Sequence, residues 1–311
     1  MRAIVASEAG APAALGDRAE PDGHVLTALW SSLNYKDALA LRGRPGVLRS
    51  LPLVPGIDVV GRDAAGEVVV VTGAGLGERT DGGLAERVAI DPATAVPVPA
   101  PFTPQQAAGI GTAGVTAALA VAALERDGLP DGPVLVTGAG GGVGGFAIAL
   151  LAAAGREVHA ATGRADAIGD HLRALGASRV VDRLPAEPGR PLQKAVWAGV
   201  VDSLGGGALV NAIAQTLPGG TVAACGLAAS PDLPGTVLPF ILRGATLAGI
   251  FSVDLPAARR RAAWDLLAER IDGAVVDRLT ERVVELAEAP AVAEDVLAGA
   301  VRGRVVVRIA P

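Results

Sequence analysis

A glycine-dense turn lies between a short apolar run and a helical stretch, and it limits the possible folds more than any other feature. Val134–Val136 is fully apolar, which predicts a short buried strand. Residues 138–145 form the turn, and residues 146–154 have the composition of a helix that ends at Gly155. A strand, a glycine turn and a helix in this order are the context that a dinucleotide-binding loop needs. The alternative is an ordinary tight turn, because a chain with 42 glycines contains chance matches to glycine patterns.

Within the turn, Ala139, Gly141 and Gly144 follow the dinucleotide-binding spacing, with alanine in the place of the first glycine. Gly141 is predicted to let a pyrophosphate approach the backbone, and Gly144 to let helix and strand pack closely. The phosphates are then predicted to lie at the free N–H groups and positive end of the helix that follows, and Gly142 and Val143 of the turn are also assigned to the cofactor site.

The residues after the next predicted strand, 156–162, indicate which nicotinamide cofactor the loop would take. NAD enzymes carry an acidic residue about 20 residues past the turn, where it binds the ribose 2′-hydroxyl. Here that place holds Thr162 and Arg164, and the first carboxylate is Asp166. A guanidinium binds phosphate oxygens bidentately, so the sequence predicts NADPH rather than NADH. The alternative is that Arg164 is a solvated residue at the start of the next helix.

The chain of 311 residues is long enough for two domains. Residues 1–111 are predicted to be β-rich, and residues 112–271 alternate strands with helices, which predicts a doubly wound parallel sheet. Residues 272–311 are predicted to return to the β-rich domain through a strand at 302–309. Apolar runs between turn signals predict further strands at 3–5, 25–30, 68–71, 87–90, 95–98, 179–182, 199–202, 220–225 and 246–250. Helices are predicted at 35–41, 168–175, 208–217 and 255–271.

Composition and charge exclude several classes of function. The formal net charge of −5 argues against a nucleic-acid-binding protein. The single cysteine, Cys225, allows no intramolecular disulfide, which favours a reducing, cytoplasmic compartment and a small buried apolar role for this residue. The N-terminus is charged too early for a signal peptide, and the apolar stretch 112–124 is about half a membrane span. We therefore expect no membrane partner.

Motifs along nearly the whole chain resemble those of one enzyme family. They lie in the glycine turn and at residues 31–37, 54–58, 82–86, 110–117, 196–199, 224–227 and 239–244. The chain resembles the zinc-free medium-chain dehydrogenase/reductases of the quinone oxidoreductase type, and among them most the acrylyl-CoA reductase group. Those enzymes use NADPH to reduce acrylyl-CoA to propionyl-CoA.

The resemblance implies an α/β protein with a β-rich, GroES-like catalytic domain and a Rossmann domain that binds NADPH. It also implies an acyl-CoA substrate and a homodimer that buries the apolar strand at 245–251. By the same resemblance, Cys225 and Gly226 belong to the cofactor site. Thr112 is expected to face the nicotinamide, and Arg304 to add a phosphate contact.

The chain departs from the group around the expected substrate pocket. Phe251 replaces the usual aspartate, Ala74 lies where the group often has tryptophan, and the loop between Val60 and Val68 is shortened. These changes favour a second hypothesis, in which the protein is a quinone or enone reductase. A third hypothesis, from another class, is an NADPH-binding protein without turnover.

A catalytic metal is not expected. Zinc relatives place their cysteine, histidine and glutamate ligands where this chain has residues 36–37 and 57–58, which are Lys-Asp and Ile-Asp. Three protein ligands of suitable type are needed. His24, His159, His171 and the distant cysteine show no such spacing.

Without a metal, hydrogen-bond donors must stabilise the enolate that forms when hydride reaches the β-carbon of an enoyl thioester. Asn34 offers an amide donor and Tyr35, the only tyrosine, a phenolic one. The proton for the α-carbon would come from Tyr35, Asp37 or water. The alternative makes Asn34 a helix cap and Tyr35 a packing residue. Nearby, Arg42, Arg44 and Arg49 are either contacts for coenzyme A phosphates or exposed loop residues.

Overall fold

The computed structural model describes residues 1–309. The strands, in chain order, are β1 (Arg2–Val5), β2 (Ala14–Asp17), β3 (Val25–Leu33), β4 (Asp58–Arg62), β5 (Val68–Thr72), β6 (Arg87–Ala89), β7 (Val96–Pro97), β8 (Val134–Val136), β9 (Val158–Ala161), β10 (Arg179–Val181), β11 (Trp197–Asp202), β12 (Thr216–Ala224), β13 (Thr246–Gly249), β14 (Thr280–Glu285) and β15 (Arg304–Arg308). The helices are α1 (Tyr35–Leu41), α2 (Pro104–Glu125), α3 (Gly142–Ala153), α4 (Ala165–Ala174), α5 (Gly206–Ala214), α6 (Leu238–Arg243), α7 (Ala257–Arg270), α8 (Gly273–Leu279) and α9 (Ala289–Leu297). Short 3₁₀ turns lie at Pro92–Thr94 and Leu286–Glu288.

The chain divides into two compact units. The β-rich unit comprises Met1–Val115 and Ser252–Pro311, and the parallel-sheet unit is Thr116–Phe251. Residues 252–271 therefore group with the β-rich unit, whereas the predicted cofactor domain extended to residue 271. The physical reason lies in the contacts of this segment: the Ala74 N–H donates to the Val253 carbonyl at 2.9 Å, and the Arg260 guanidinium donates to the Thr72 carbonyl. Residues 310–311, the last two of the predicted return segment, lie outside the described residues.

In the β-rich unit, a mostly antiparallel sheet has the order β14-β15-β3-β4-β5-β7, and β6 pairs with β3. The predicted final strand is confirmed as β15, which pairs antiparallel with β3 and aligns Val306 with Ser32. Strand β4 follows β3 in the sheet and aligns Asp58 with Thr72 of β5. The core of the unit consists mainly of alanine, valine and leucine, as the 3% aromatic content requires. Strands β2, β4 and β14 and helices α6, α8 and α9 were not predicted.

Helix α2 is broken at Gly111, whose φ of 45° and ψ of −153° are not helical. A β-carbon at this position would lie 2.4 Å from Asp58 Oδ2, so only glycine fits. By length and apolar composition the helix could cross a membrane, with a mean hydropathy of 1.8. However, 83% of its most apolar window is buried inside the protein, which is the property of a core helix.

The parallel-sheet unit contains the order β10-β9-β8-β11-β12-β13, and every neighbouring pair is parallel. The predicted doubly wound α/β fold is confirmed. The chain moves outward from β8 to β10 and then returns to the other side of β8 with β11. Ligands of such sheets bind outside the carboxyl ends of the strands at this point of reversal. The predicted helix at 208–217 ends at Ala214, because Thr216 already starts strand β12.

Candidate active site

Two glycines of the turn after β8 differ in whether the fold requires them. A β-carbon on Gly144 would lie 2.5 Å from the Gly138 carbonyl oxygen, so the close packing of α3 on the turn requires glycine. A β-carbon on Gly141 would meet only the Gly138 oxygen, at 3.4 Å, which is ordinary contact. The protein itself does not demand glycine at position 141. This property fits the predicted need for a ligand to approach the backbone there.

Helix α3 begins at Gly142, and Gly141 at the cap position has no side chain that could accept a hydrogen bond. The first N–H groups of the helix, including those of Gly142 and Val143, therefore remain for an external acceptor. The predicted residues lie together on this turn. Ala139 is 1% exposed and its N–H donates to the Ala161 carbonyl at 3.4 Å, so its contact with a cofactor stays a prediction.

A buried carboxylate at the end of β11 supports the turn. Asp202 Oδ1 accepts from the Thr137 hydroxyl at 2.7 Å, and Oδ2 accepts from the Gly205 N–H at 2.8 Å. Burial raises the pKa of Asp202. This carboxylate joins the loops that follow β8 and β11. It was not predicted, although an aspartate closing an otherwise apolar strand is a signal that a buried partner exists.

Cys225 and Gly226 follow β12 and lie against the same loop. The Cys225 thiol donates to the Asp202 carbonyl at 3.1 Å, and a β-carbon on Gly226 would lie 2.5 Å from the Ser203 carbonyl oxygen. Burial, with the charge of Asp202, raises the pKa of Cys225 to about 12. The thiol is therefore neutral and internally bonded. Its role in cofactor binding stays a prediction.

The loop after β9 brings Arg164 to the glycine turn. The Arg164 N–H donates to the Thr162 hydroxyl oxygen at 3.1 Å. A β-carbon built on Gly140 would lie 3.0 Å from Arg164 Nη2, so the guanidinium reaches the turn itself. A second guanidinium, that of Arg183, lies beside Gly163 of the same loop. It was not predicted, because Arg183 follows β10, which neighbours β9 only in the folded sheet.

In the β-rich unit, the completely buried Asp58 is the centre of a polar network. Its Oδ1 accepts from the Thr112 N–H at 2.8 Å and from the Thr112 hydroxyl at 2.6 Å. Its Oδ2 accepts from the Ser32 hydroxyl and from Asn34 Nδ2, both at 2.8 Å. Arg304 Nη2 lies 3.7 Å from Oδ2. Asp58 was not predicted as a site residue, although an aspartate between Ile57 and two valines was the available signal.

Arg304 does not occupy the predicted position of a phosphate ligand. It is 3% exposed, and its guanidinium donates to the Gly109 and Leu33 carbonyls, to Asn34 Oδ1 and to the Ser32 hydroxyl. Its hydrogen-bonding groups are therefore used inside the β-rich unit. The structure thus gives Arg304 a structural role in the β-rich unit, and its predicted phosphate contact stays a prediction.

The amide of Asn34 is fully engaged. Nδ2 donates to Asp37 Oδ2 at 2.9 Å and to Asp58 Oδ2 at 2.8 Å, and Oδ1 accepts from Arg304 at 3.0 Å. The surrounding charges fix this orientation, since carboxylates only accept and a guanidinium only donates. Asn34 thus has no amide hydrogen left for a substrate. Its backbone N–H also donates to Asp37 at 2.8 Å, which starts helix α1 as a capping box does.

Tyr35 and Asp37, on the first turn of α1, differ in access to solvent. Tyr35 is 44% exposed, and its hydroxyl makes no hydrogen bond among residues 1–309. Asp37 is 1% exposed and accepts from the Ile57 N–H at 2.9 Å as well as from Asn34. Burial, followed by the negative charge of Asp58, raises the pKa of Asp37 to about 6. Of the two residues, only Tyr35 is exposed.

Thr112 gives its hydroxyl hydrogen to Asp58, so its oxygen can only accept from a ligand. At the positions where zinc relatives hold ligands, Lys36 forms an ion pair with Glu78, and Ile57 is buried. Across residues 1–309, no group of three or more histidine, cysteine, aspartate or glutamate side chains is arranged to hold a metal ion.

Comparison with known proteins identifies the family. A sequence family described as zinc-binding dehydrogenase matches residues 142–269. The chain is 43% identical to the acrylyl-CoA reductase AcuI of Ruegeria pomeroyi, over 93% of this chain and 91% of that protein. It is 40% identical to the putative quinone oxidoreductase YhfP of Bacillus subtilis, with the same coverage. The crystal structure of the yhdH oxidoreductase from Salmonella enterica in complex with NADP aligns over 100% of both chains, with a TM-score of 0.95 and 41% identity.

The chain belongs to the zinc-free medium-chain dehydrogenase/reductases of the quinone oxidoreductase type. The resemblance carried by the sequence motifs is thereby confirmed. This family membership covers both units, since each alignment extends over nearly the whole chain.

Of the three arginines considered for coenzyme A phosphates, two are engaged within this reductase chain. Arg42 pairs with Glu294 at 2.7 Å, and Arg49 with Glu78 at 3.4 Å. Arg44 is exposed and has no ion pair among residues 1–309. It is the arginine of the three that best fits a role in binding an anionic substrate.

The raised pKa of Asp37, about 6 against an ordinary 3.8, predicts that stability depends on pH. The folded state holds this proton more tightly than the unfolded state does. The resulting stabilisation is full below the unfolded pKa and is lost as the pH rises through the folded pKa. As the pH rises from about 4.5 to about 7, the loss of this stabilisation at Asp37 should lower the free energy of unfolding by about 2 kcal/mol.

Urea unfolding of the wild type and of Asp37→Asn at these two pH values measures the effect. The advantage of the wild type over the variant should be larger at the lower pH by that amount. Asp22→Asn, at an exposed position, is the matched control and should keep the wild-type pH dependence. A stability difference between wild type and Asp37→Asn that is the same at both pH values would contradict the prediction.

Proposed function

We propose that this protein is an NADPH-dependent reductase of activated C=C bonds, with a small enoyl-CoA such as acrylyl-CoA as its best substrate. The observation that carries the proposal is the glycine turn with the Arg164 guanidinium against it. It occurs in a chain 43% identical to an acrylyl-CoA reductase and closely similar in structure to an NADP-bound oxidoreductase.

The parallel-sheet unit fits NADPH by the chemistry of its donors. The turn at Gly141 is open to a ligand, and the first N–H groups of α3 suit the pyrophosphate. Thr162 and Arg164 suit a 2′-phosphate, and this loop has no carboxylate before Asp166. When bound, NADPH would supply the hydride for the β-carbon of the substrate.

In the β-rich unit, the polar network would support the reaction through Tyr35. As hydride adds to the β-carbon of an enoyl thioester, negative charge develops on the thioester oxygen. The exposed phenol can donate to that oxygen or deliver the proton that the α-carbon requires. Asn34, Asp58 and Arg304 would act by holding the start of α1 and therefore the position of Tyr35. Asp37 would act in the same indirect way, because its carboxyl is buried.

A quinone or enone reductase is the alternative within the same family, and two observations favour it. Ala74 replaces a large side chain, and Phe251 is 60% exposed in the segment that departs from the acrylyl-CoA reductases. One relative is itself named a putative quinone oxidoreductase. An NADPH-binding protein without turnover is the remaining alternative.

Initial rates with acrylyl-CoA, crotonyl-CoA and a benzoquinone, each with NADPH and NADH, test the proposal. We expect steady oxidation of NADPH with acrylyl-CoA and little oxidation with the quinone. Faster turnover of the quinone would favour the alternative. Tight NADPH binding without turnover of any substrate would show that the protein is not a reductase of these compounds.

We predict that Tyr35→Phe lowers kcat for acrylyl-CoA by about tenfold or more, since the loss of one donor to a developing oxyanion typically costs roughly a hundred- to a thousandfold. The substitution keeps the ring and removes only the hydroxyl. The dissociation constant of NADPH should stay unchanged, because the loss concerns the transition state. Initial rates and fluorescence titration measure the two quantities. Wild-type turnover in this variant would exclude the phenol and leave water as the proton source.

We also propose that the protein is a homodimer joined through the edge strand β13 and helix α6. β13 ends the sheet, and the exposed apolar residues Val237, Ile241 and Leu242 lie next to it in the chain. Unpaired backbone N–H and C=O groups of an edge strand beside exposed apolar side chains need to be covered, which a second copy would do.

Ile241→Glu should convert a dimer to a monomer in sedimentation, and Val283→Glu, exposed in the β-rich unit, should not. A monomeric wild type at micromolar concentration would refute this assembly.

We further propose a cytoplasmic location, which cell fractionation can test. The proposal is based on the single cysteine, Cys225, which allows no intramolecular disulfide and is half-buried.

A further inference from the structure

We propose that Arg260 is a positioning residue for the chemistry of Tyr35. Its buried guanidinium holds the turn at residues 73–75, and the loop that continues this turn pairs with the start of α1. The proposal rests on the role of Tyr35 in the proposed reduction, and it goes beyond that role by naming the group that keeps Tyr35 in place. It also gives a reason for an unusual backbone conformation at Ala74.

The turn at residues 73–75 has three consecutive residues in the left-handed region of backbone conformation. Their φ angles are 64° at Gly73, 55° at Ala74 and 86° at Gly75. Ala74 is the single non-glycine residue with positive φ among residues 1–309. The β-carbon of alanine makes this conformation unfavourable, whereas glycine adopts it readily. Contacts from the surrounding structure must therefore hold Ala74 in it.

The guanidinium of Arg260 makes these contacts on both sides of the turn. Its Nη1 donates to the Thr72 carbonyl, and to the Thr72 hydroxyl oxygen at 3.1 Å, immediately before the turn. Its Nη2 donates to the Val253 carbonyl at 3.5 Å, and the Ala74 N–H donates to this same carbonyl at 2.9 Å. Arg260 thus connects the residue before the turn with the carbonyl that binds the centre of the turn.

The burial of Arg260 makes this connection energetically important. The residue is 1% exposed, although no carboxylate lies within ion-pair distance of it among residues 1–309. A buried charge without an ion-pair partner is unfavourable unless hydrogen bonds replace its hydration. Here the acceptors belong to Thr72 and Val253, so the guanidinium is stabilised only while both residues stay in place.

The loop that continues the turn reaches the start of α1 through Glu78. The Gly75 carbonyl accepts from the Arg79 N–H at 2.8 Å, so the end of the turn fixes the backbone beside Glu78. The Glu78 carboxylate, which is 8% exposed, pairs with Lys36 in α1. Because Lys36 directly follows Tyr35, this pair anchors the first turn of the helix that carries the phenol.

A second contact joins the same loop to α1. A β-carbon built on Gly77 would lie 2.6 Å from the Gly56 nitrogen, so the backbones of the two segments touch. The next residue, Ile57, donates its N–H to Asp37 Oδ1 at 2.9 Å, on the first turn of α1. The turn at residues 73–75 therefore reaches the start of α1 by two routes, one through an ion pair and one through packed backbone.

The only tyrosine of the chain provides a direct probe of this effect. Incorporation of fluorotyrosine places one fluorine resonance in the protein, at Tyr35. Arg260→Met removes the donors but keeps a long side chain, and it should shift or split this resonance. It should also lower kcat for acrylyl-CoA by about tenfold or more, because a small displacement of a reacting group can cost about a hundredfold. The dissociation constant of NADPH should change by less than about twofold.

Ala74→Gly tests whether Arg260 acts through the turn. Glycine adopts the left-handed conformation without the penalty of a β-carbon, so the turn should keep its shape with less support. In the Arg260→Met background, Ala74→Gly should return the fluorine resonance towards its wild-type position and raise kcat by about threefold or more. A purely structural role of Arg260 would instead lower the free energy of unfolding in urea and leave the resonance of the folded protein unchanged.

Arg261→Met, at an exposed position on the same helix, is the matched control and should change neither the resonance nor kcat. If Arg260→Met does not fold, Arg260→Lys takes its place, because lysine keeps the charge but lacks the planar group that reaches two carbonyls. The lysine substitution should shift the resonance in the same direction by a smaller amount.

A folded Arg260 variant with the wild-type resonance would overturn the proposal. A loss of kcat that Ala74→Gly does not reduce would also overturn it, because Arg260 would then not act through the turn. A shifted resonance in a protein whose wild type does not reduce acrylyl-CoA would overturn the proposed function, while it would support the hold of Arg260 on Tyr35.

Discussion

The buried carboxylate of Asp58 is the interaction on which the organisation of the β-rich unit depends. A carboxylate removed from water costs several kcal/mol unless donors replace its hydration. Asp58 receives donors from Ser32 in β3, from Asn34 before α1 and from Thr112 at the break of α2. Arg304 of β15 supplies the opposing charge. One side chain thus joins three parts of the chain that are distant in sequence: the end of β3 with the start of α1, the break of α2, and β15. Removal of either charge would leave the other buried and unpaired.

This network also explains how a zinc-free member of the family can orient a reacting group. Positions that hold metal ligands in zinc relatives contain Asp37 and Asp58 here, and their oxygens accept hydrogen bonds from the protein itself. The donors that surround these two carboxylates are already used in hydrogen bonds within the protein. The network is therefore suited to positioning, whereas the exposed Tyr35 of α1 makes no side-chain hydrogen bond among residues 1–309.

Local patterns in the sequence were sufficient for the parallel sheet, the glycine turn and helix α1, because apolar runs, glycines and caps act within a few residues. The roles of Asn34 and Arg304 could not be predicted in the same way. Their hydrogen bond joins residues 270 positions apart, and no spacing in the chain shows that β15 lies beside β3. The sequence therefore predicted polar residues near a site, whereas the folded chain determines which of their hydrogens remain free. Arg183 was missed for the same reason, since only the strand order places it beside Gly163.

The glycines of the chain show how structure separates two causes that look the same in a sequence. Gly144 and Gly111 are required by the fold, because a β-carbon would lie within 2.5 Å of a carbonyl or carboxylate oxygen. A β-carbon on Gly141 would meet nothing closer than 3.4 Å, and one on Gly163 would meet only the Arg183 side chain. Where the fold itself does not require glycine, the absence of a side chain leaves space for a ligand that approaches the backbone or for a neighbouring side chain that packs against it. Both of these glycines lie at the carboxyl end of the parallel sheet, which is where doubly wound sheets bind dinucleotides.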